Sequence, residues 1–216
     1  MKILGLNTIG FNTSASLVIN GKLIGSIEEE RLNREKRTRK FPIKSISYLL
    51  NKNNLKFEQI DALAISWNPL INLEKFNFSQ SEDKSFIPNI TFSVPSYVLK
   101  LNSDKTPDFF VQDLKFKKKT IKIYYINHHI SHASSFFFSG FDNSAILTLD
   151  AFGEKQSGGF YIGKKNEINK LDSFYFPHSL GSFYSTFTEI CGFQPQSDEW
   201  KLMGASAYGI KSNNIF

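Results

Sequence analysis

The sequence predicts an α/β protein in which an opening antiparallel β-hairpin leads into a mixed sheet with flanking helices. Three observations predict it. Three short apolar runs stand at the start, Lys2 to Thr8, Ala15 to Ile19 and Lys22 to Ile27, the last two joined by Asn20-Gly21. That dipeptide favours positive φ and is the strongest short-range hairpin signal. Helical and strand patterns then alternate, and a glycine-containing turn after Asp150 leads into a further pair of strands.

Composition bounds the rest. A chain of 216 residues forms one domain or two small ones and is long enough to pack a core without staples. The single cysteine, Cys191, excludes an internal disulfide framework and a Cys-rich zinc site. Its neighbours Ile190 and Phe193 place it in the core as a small apolar residue. No apolar run approaches the ~18 residues of a membrane span. The start lacks the pattern of a secretory leader, so the expected location is the cytoplasm. The formal charge is +6. All the arginines, Arg31, Arg34, Arg37 and Arg39, fall in one short segment, and the lysines are scattered apart from Lys115 and Lys117 to Lys119. A general phosphate-backbone binder would show a broader basic face, so nucleic acid is not the expected partner. The arginine segment has two readings, an anion site or a solvated loop.

Along the chain, Phe41-Pro42 starts a helix, because proline suits the first helical position. Ile43, Ile46, Leu49 and Leu50 share its apolar face. Asp61 to Trp67 is a largely apolar, buried strand. Residues from about 68 to 120 carry four prolines and no sustained period, and are expected to form an irregular insertion with short helices. A strand at Ile121 to Ile126, a helix at His128 to Ser139 and a strand at Ala145 to Asp150 follow. Further strands are expected at Gly158 to Ile162 and Ile168 to Tyr175, and helices at Ser182 to Cys191 and Glu199 to Tyr208. This order points to one lobe of an actin/hexokinase-like (ASKHA) nucleotide-binding fold, which holds phosphates at turns between strands and at helix N-termini.

Three of the four histidines lie within five positions, in Asn127-His128-His129-Ile130-Ser131-His132-Ala133. His128 and His132 are four apart, so both project from one helical face, a spacing that suits two nitrogen ligands on one divalent ion. The plain alternative is a polar helix start. Asp150 ends the next strand and can complete a His₂/carboxylate site with open positions, suited to Fe(II), Zn or Mn. Alternatively it is a turn-forming Asp bonded to its own backbone. Lys201 and Gly204 lie in a Lys-Leu-Met-Gly segment where glycine permits close phosphate approach and lysine supplies charge. Helix packing is the alternative. His178 is given no role.

Taken together and in order, these pieces resemble the nodulation-type (NodU) O-carbamoyltransferases. The residues that carry the resemblance are Leu4-Gly5-Leu6-Asn7, Ser14-Ala15-Ser16-Leu17, Glu28-Glu29-Glu30-Arg31, His128 to Ala133, Phe138-Ser139-Gly140, Leu149-Asp150, Gly153-Glu154, Leu180 to Tyr184 and Lys201 to Gly204. The resemblance implies an actin-like domain, akin to tRNA threonylcarbamoyl-transfer proteins, acting with a domain that makes carbamoyl-adenylate from carbamoyl phosphate and ATP. The carbamoyl group then moves to a hydroxyl of a sugar or other small acceptor. It further implies that His128, His132 and Asp150 bind a divalent metal, typically iron. Lys201, Gly204, Gly153 and Glu154 would lie near the nucleotide. Asn12 stands where many members have a histidine thought to serve as base for the acceptor hydroxyl, and Asn has no nitrogen that accepts a proton in the usual range. Members are more than twice as long, so residues 1–216 are expected to be the N-terminal lobe only. The second lobe and the adenylate-forming domain would then lie elsewhere, in a separate C-terminal half if the gene is split, and the isolated chain would be inactive. The alternatives are a tRNA threonylcarbamoyl-transferase-like protein and a remnant or partner subunit that binds nucleotide or metal without turnover.

Overall fold

The computed structural model describes residues 1–68 and 108–209, and the chain divides into two compact units, Met1–His132 and Ala133–Phe216. The first unit is built on a mixed sheet. Strands β1 (Lys2–Asn7), β2 (Ser14–Ile19) and β3 (Lys22–Glu28) form the opening meander. Asn20 and Gly21 both take positive φ at its turn, as the Asn-Gly pair predicts. A short helix α1 (Glu29–Asn33) and the longer α2 (Ile43–Lys52) cross over to β4 (Ala62–Ile65). Then come β5 (Phe109–Phe116) and β6 (Lys119–Ile126). The strand order is β3-β2-β1-β4-β6-β5, with β1, β4 and β6 parallel and the remaining pairs antiparallel. An antiparallel meander running into parallel strands by a helical crossover is the actin-like α/β order that the sequence predicts.

Alternation fixes which face is buried. Leu4 and Leu6 of β1, Ala15 and Leu17 of β2, and Ile121, Ile123 and Tyr125 of β6 point into one core. Helix α2 covers it with Ile46, Leu49 and Leu50. Gly25 of β3 lies so close to α2 that an added Cβ would stand 3.2 Å from the Leu49 side chain. Leu4 and Leu17 are fully buried, and each contributes about 2–3 kcal/mol by leaving water.

In the second unit, β7 (Asn143–Leu149), β8 (Gln156–Lys164) and β9 (Glu167–Tyr175) form an antiparallel meander, followed by α4 (Leu180–Ile190) and α5 (Glu199–Ala205). In chain order, β6 is followed by α3 (His128–Ala133), continued by a 3₁₀ turn over Ser134–Phe138. The glycines of β8 let aromatic rings lie on the sheet. A Cβ on Gly163 would stand 2.7 Å from the buried Phe136 ring.

Several expectations need correction. The stretch expected to be irregular up to residue 120 contains β5 and the start of β6, whose hairpin turns at Lys117 in a positive-φ conformation. The lysines there hid the alternation, because β5 is an edge strand with mostly exposed side chains. The rest of that call, residues 69–107, lies outside the described residues. Pro42 caps α2 from outside its first turn, and Ile43 is exposed while Ser45 takes the buried place. The helix expected from His128 to Ser139 tightens into 3₁₀ geometry after Ala133. Cys191 is exposed, because it follows α4 at a C-terminus whose Ile190 also faces solvent.

Candidate metal centre

Asn127 makes the start of α3 rigid. It is buried, its Oδ1 accepts the Ile130 amide at 3.1 Å, and its own amide donates to the Asp108 carbonyl at 2.8 Å. An Asn in this role satisfies one of the orphan amides of a helix start. The residues after it then have fixed directions. His128 and His132 lie one turn apart and meet edge to face, with Nε2 to Nε2 at 2.9 Å and rings perpendicular. His129 is fully buried and turns away from solvent. The Trp67 indole, just beyond the end of β4, meets the His128 ring edge-on at 5.7 Å and holds its plane. The sequence singled out the His pair but not Trp67. The available signal was that Trp67 and His128 follow neighbouring parallel strands.

Two imidazole nitrogens on one tetrahedral ion, at bonds of ~2.0–2.1 Å, stand roughly 3.3 Å apart. The pair at 2.9 Å needs to open by only a few tenths of an ångström, so these residues fit a divalent ion. Lone pairs so close repel unless a cation, proton or metal, lies between them.

In the second unit, Asp150 follows β7 directly. Its Oδ1 accepts the Ala151 amide at 2.7 Å, and its amide donates to the Ser157 carbonyl at 2.9 Å. The turn-forming role weighed for it is therefore real. That contact takes one lobe of one carboxylate oxygen. The turn is pinned by the start of α4. Ser179 caps α4 by accepting the Ser182 amide at 3.0 Å and donates to the carbonyls of Asp150 and Ala151. Gly181 abuts the same turn, where a Cβ would stand 2.4 Å from the Ala151 nitrogen.

The residues expected near a nucleotide are placed as follows. The Gly153 amide donates to the Gln156 carbonyl at 2.6 Å and so serves the turn into β8. Glu154 is buried. Lys201, on α5, pairs with Asp198 at 2.9 Å, and this contact holds the Asp198 carboxyl below its usual range. Gly204 is exposed, with open space where a Cβ would sit. Asn12 is exposed in the β1–β2 turn, at φ 59°. His178 offers its carbonyl to the Ser157 hydroxyl. Among the described residues no helix is long and apolar enough to cross a membrane.

The family described as carbamoyltransferase N-terminus matches residues 2–216. An uncharacterized protein of Synechocystis sp. (sll1178) is 32% identical over 96% of this chain and 34% of its own length. The nodulation protein NolNO of Sinorhizobium fredii is 33% identical over 94% of this chain and 28% of its own. The chain thus spans about a third of the length of these curated relatives. Among solved structures, YeaZ from Pseudomonas aeruginosa is similar over 80% of this chain and 64% of its own, at 13% identity and a TM-score of 0.40.

Proposed function

This chain belongs to the carbamoyltransferase N-terminus family, and we propose that it is the part of an ATP-dependent O-carbamoyltransferase that holds the activated carbamoyl donor for attack by an acceptor hydroxyl. The donor in this reading is carbamoyl-adenylate, made from carbamoyl phosphate and ATP, and the acceptor is a sugar or other small hydroxyl compound. The observation that carries it is the His128–His132 pair, whose Nε2 atoms converge at the start of a rigidly capped helix.

His128 and His132 would hold a divalent ion, Fe(II), Zn or Mn, with Asp150 as the further carboxylate ligand. Such an ion would supply positive charge to a donor phosphate oxygen. The chain's own residues do the rest. Asn127 and Trp67 keep the imidazoles in place, so little reorganisation is needed when charge develops. Lys201, Gly204, Gly153 and Glu154 line the nucleotide. Asn12 orients the acceptor hydroxyl through its amide, and it does not take the proton. Residues 1–216 act with a C-terminal part that supplies the adenylate and the opposite wall of the site.

The test mixes the chain with carbamoyl phosphate, ATP, Fe(II) and a panel of sugars, with and without a separately expressed C-terminal part. Carbamoylated sugar is expected only from the complemented mixture and is lost with His128→Ala. Product that persists in His128→Ala, or no product in any mixture, contradicts the reading.

A further inference from the structure

We propose that the exposed face of the β7–β8–β9 sheet is the docking surface for the C-terminal part of the transferase. The proposal rests on the transferase reading for the presence of that part, but the surface lies wholly within the second unit.

Strand register defines the face. Across β7 and β8, Ala145 pairs with Ile162 and Leu147 with Phe160. Directly opposed residues of an antiparallel pair share a face, so these four side chains stand together. Leu149 joins them by the two-residue period of a strand. From β9, Leu171 closes a shallow depression of about 270 Å³ with Leu147, Phe160 and Ile162. The Phe174 ring meets Phe160 edge-on at 5.1 Å and holds its plane. Leu147 is 53% exposed, Phe160 42% and Leu171 65%. Exposed apolar surface that is contiguous marks an interaction site, whereas scattered single residues do not.

The opposite face is already covered. Thr148 and Tyr161 are buried there, and the Phe136 ring lies against Gly163. An antiparallel sheet with one wet side alternates apolar and polar residues, while a sheet buried on both sides is apolar throughout. β7 reads Ala145-Ile146-Leu147-Thr148-Leu149 and β8 reads Phe160-Tyr161-Ile162, which is the second pattern. These strands are composed for cover on both faces, and the described residues cover one. Helix α4 shows the same shortfall. Phe183, Phe187 and Ile190 recur at helical spacing, yet all three are exposed and Thr188 is the buried residue of that helix. In the first unit the apolar stripe of α2 is buried against its sheet.

Length selects the occupant. This chain matches 34% of the Synechocystis relative and 28% of NolNO, so the larger share of each relative lies outside the match. An apolar face needs cover in every molecule, and a segment of the same protein is present in every molecule. A second copy of the chain fits less well. Each copy carries a formal charge of +6, and like charges resist association. The segment that fits is amphipathic, with its apolar side on Leu147 and Phe160 and its polar side outward.

Thiol labelling tests this in two proteins. One is the isolated chain, and the other is a hybrid in which residues 1–216 replace the matching part of the Synechocystis relative. Cys191→Ser removes the native exposed thiol, and Leu147→Cys places one on the face. Leu23→Cys, at an exposed position of β3, is the control. The Leu147→Cys thiol is expected to react at least about tenfold more slowly in the hybrid than in the isolated chain, and the Leu23→Cys thiol equally in both. Equal labelling of Leu147→Cys in the two proteins overturns the proposal. So does slow labelling already present in the isolated chain. If dilution restores it, a second copy is the occupant, and if dilution does not, the chain covers its own face.

A second measurement serves if the hybrid does not fold. The isolated chain is coexpressed with the remainder of the relative, and Leu147→Lys is expected to lower capture about tenfold while Leu23→Lys leaves it unchanged. Equal capture by Leu147→Lys and wild type, or capture by neither, overturns the docking face. Neither measurement reads turnover. A protected Leu147→Cys in a hybrid that carbamoylates nothing contradicts only the transferase reading, and an unprotected one in an active hybrid contradicts only the docking face.

Discussion

Glu29 of α1 accepts two hydrogen bonds from Ser45 of α2, one from its amide and one from its hydroxyl, both at 2.8 Å. A third comes from the Lys44 amide at 3.1 Å. Helix α2 has no side-chain cap of its own, because Pro42 stands at that place. A carboxylate from another helix therefore satisfies the orphan amides of the first turn, where it also meets the positive end of the helix dipole. Glu29 is buried, so removing it leaves these donors unmet. Glu29→Ala should lower unfolding stability by about 3 kcal/mol, measured from urea midpoints, and a loss below ~0.5 kcal/mol would show that water replaces the cap.

Glu30, the next residue, gives a pH signature. The Arg37 amide is the main influence holding its carboxyl below the usual range, with Lys36 and Arg31 adding to it. A lowered folded-state pKa means that the native state binds fewer protons than the unfolded one. The resulting stability is fully present above the ordinary glutamate value of ~4.3 and is lost as pH falls through the lower native value. Wild type should therefore exceed Glu30→Gln in stability at pH 7, and the gap should narrow at pH 3. A gap that stays constant with pH would mean that the Glu30 contacts are steric only.

Gly181 links α4 to the turn that carries Asp150. A side chain there would meet the Ala151 nitrogen at 2.4 Å and the Asp150 carbonyl carbon at 2.5 Å. Both are backbone atoms that cannot step aside singly. Gly181→Ala should cost about 1–3 kcal/mol through overpacking and should weaken metal binding by moving Asp150. Gly204→Ala, which meets open space, serves as the control and should do neither. Unchanged metal affinity in a destabilised Gly181→Ala would remove Asp150 from the ligand set.

Much of this was legible in the sequence, and for identifiable reasons. Asn20-Gly21 announced the opening hairpin because few dipeptides tolerate both left-handed positions. The His128–His132 spacing announced a shared helix face because the helical period is fixed. What escaped were features made by residues far apart in sequence. The capping of α2 by Glu29 spans sixteen positions, and the stacking of Arg39 on Phe11 spans twenty-eight. In the sequence the four arginines, Arg31 to Arg39, read more readily as a solvated loop than as a site. Strand β5 escaped because an edge strand buries little and shows weak alternation. Cys191 was misplaced because apolar neighbours were taken for burial, whereas the end of α4 faces solvent.

The central claim is that His128 and His132 hold a divalent ion. Calorimetric titration with Zn(II), and with Fe(II) under anaerobic conditions, tests it most directly. The account predicts one ion bound per chain, lost in His128→Ala and in His132→Ala and retained in His178→Ala. Undiminished binding in His128→Ala, or no saturable binding by the wild-type chain, would contradict it.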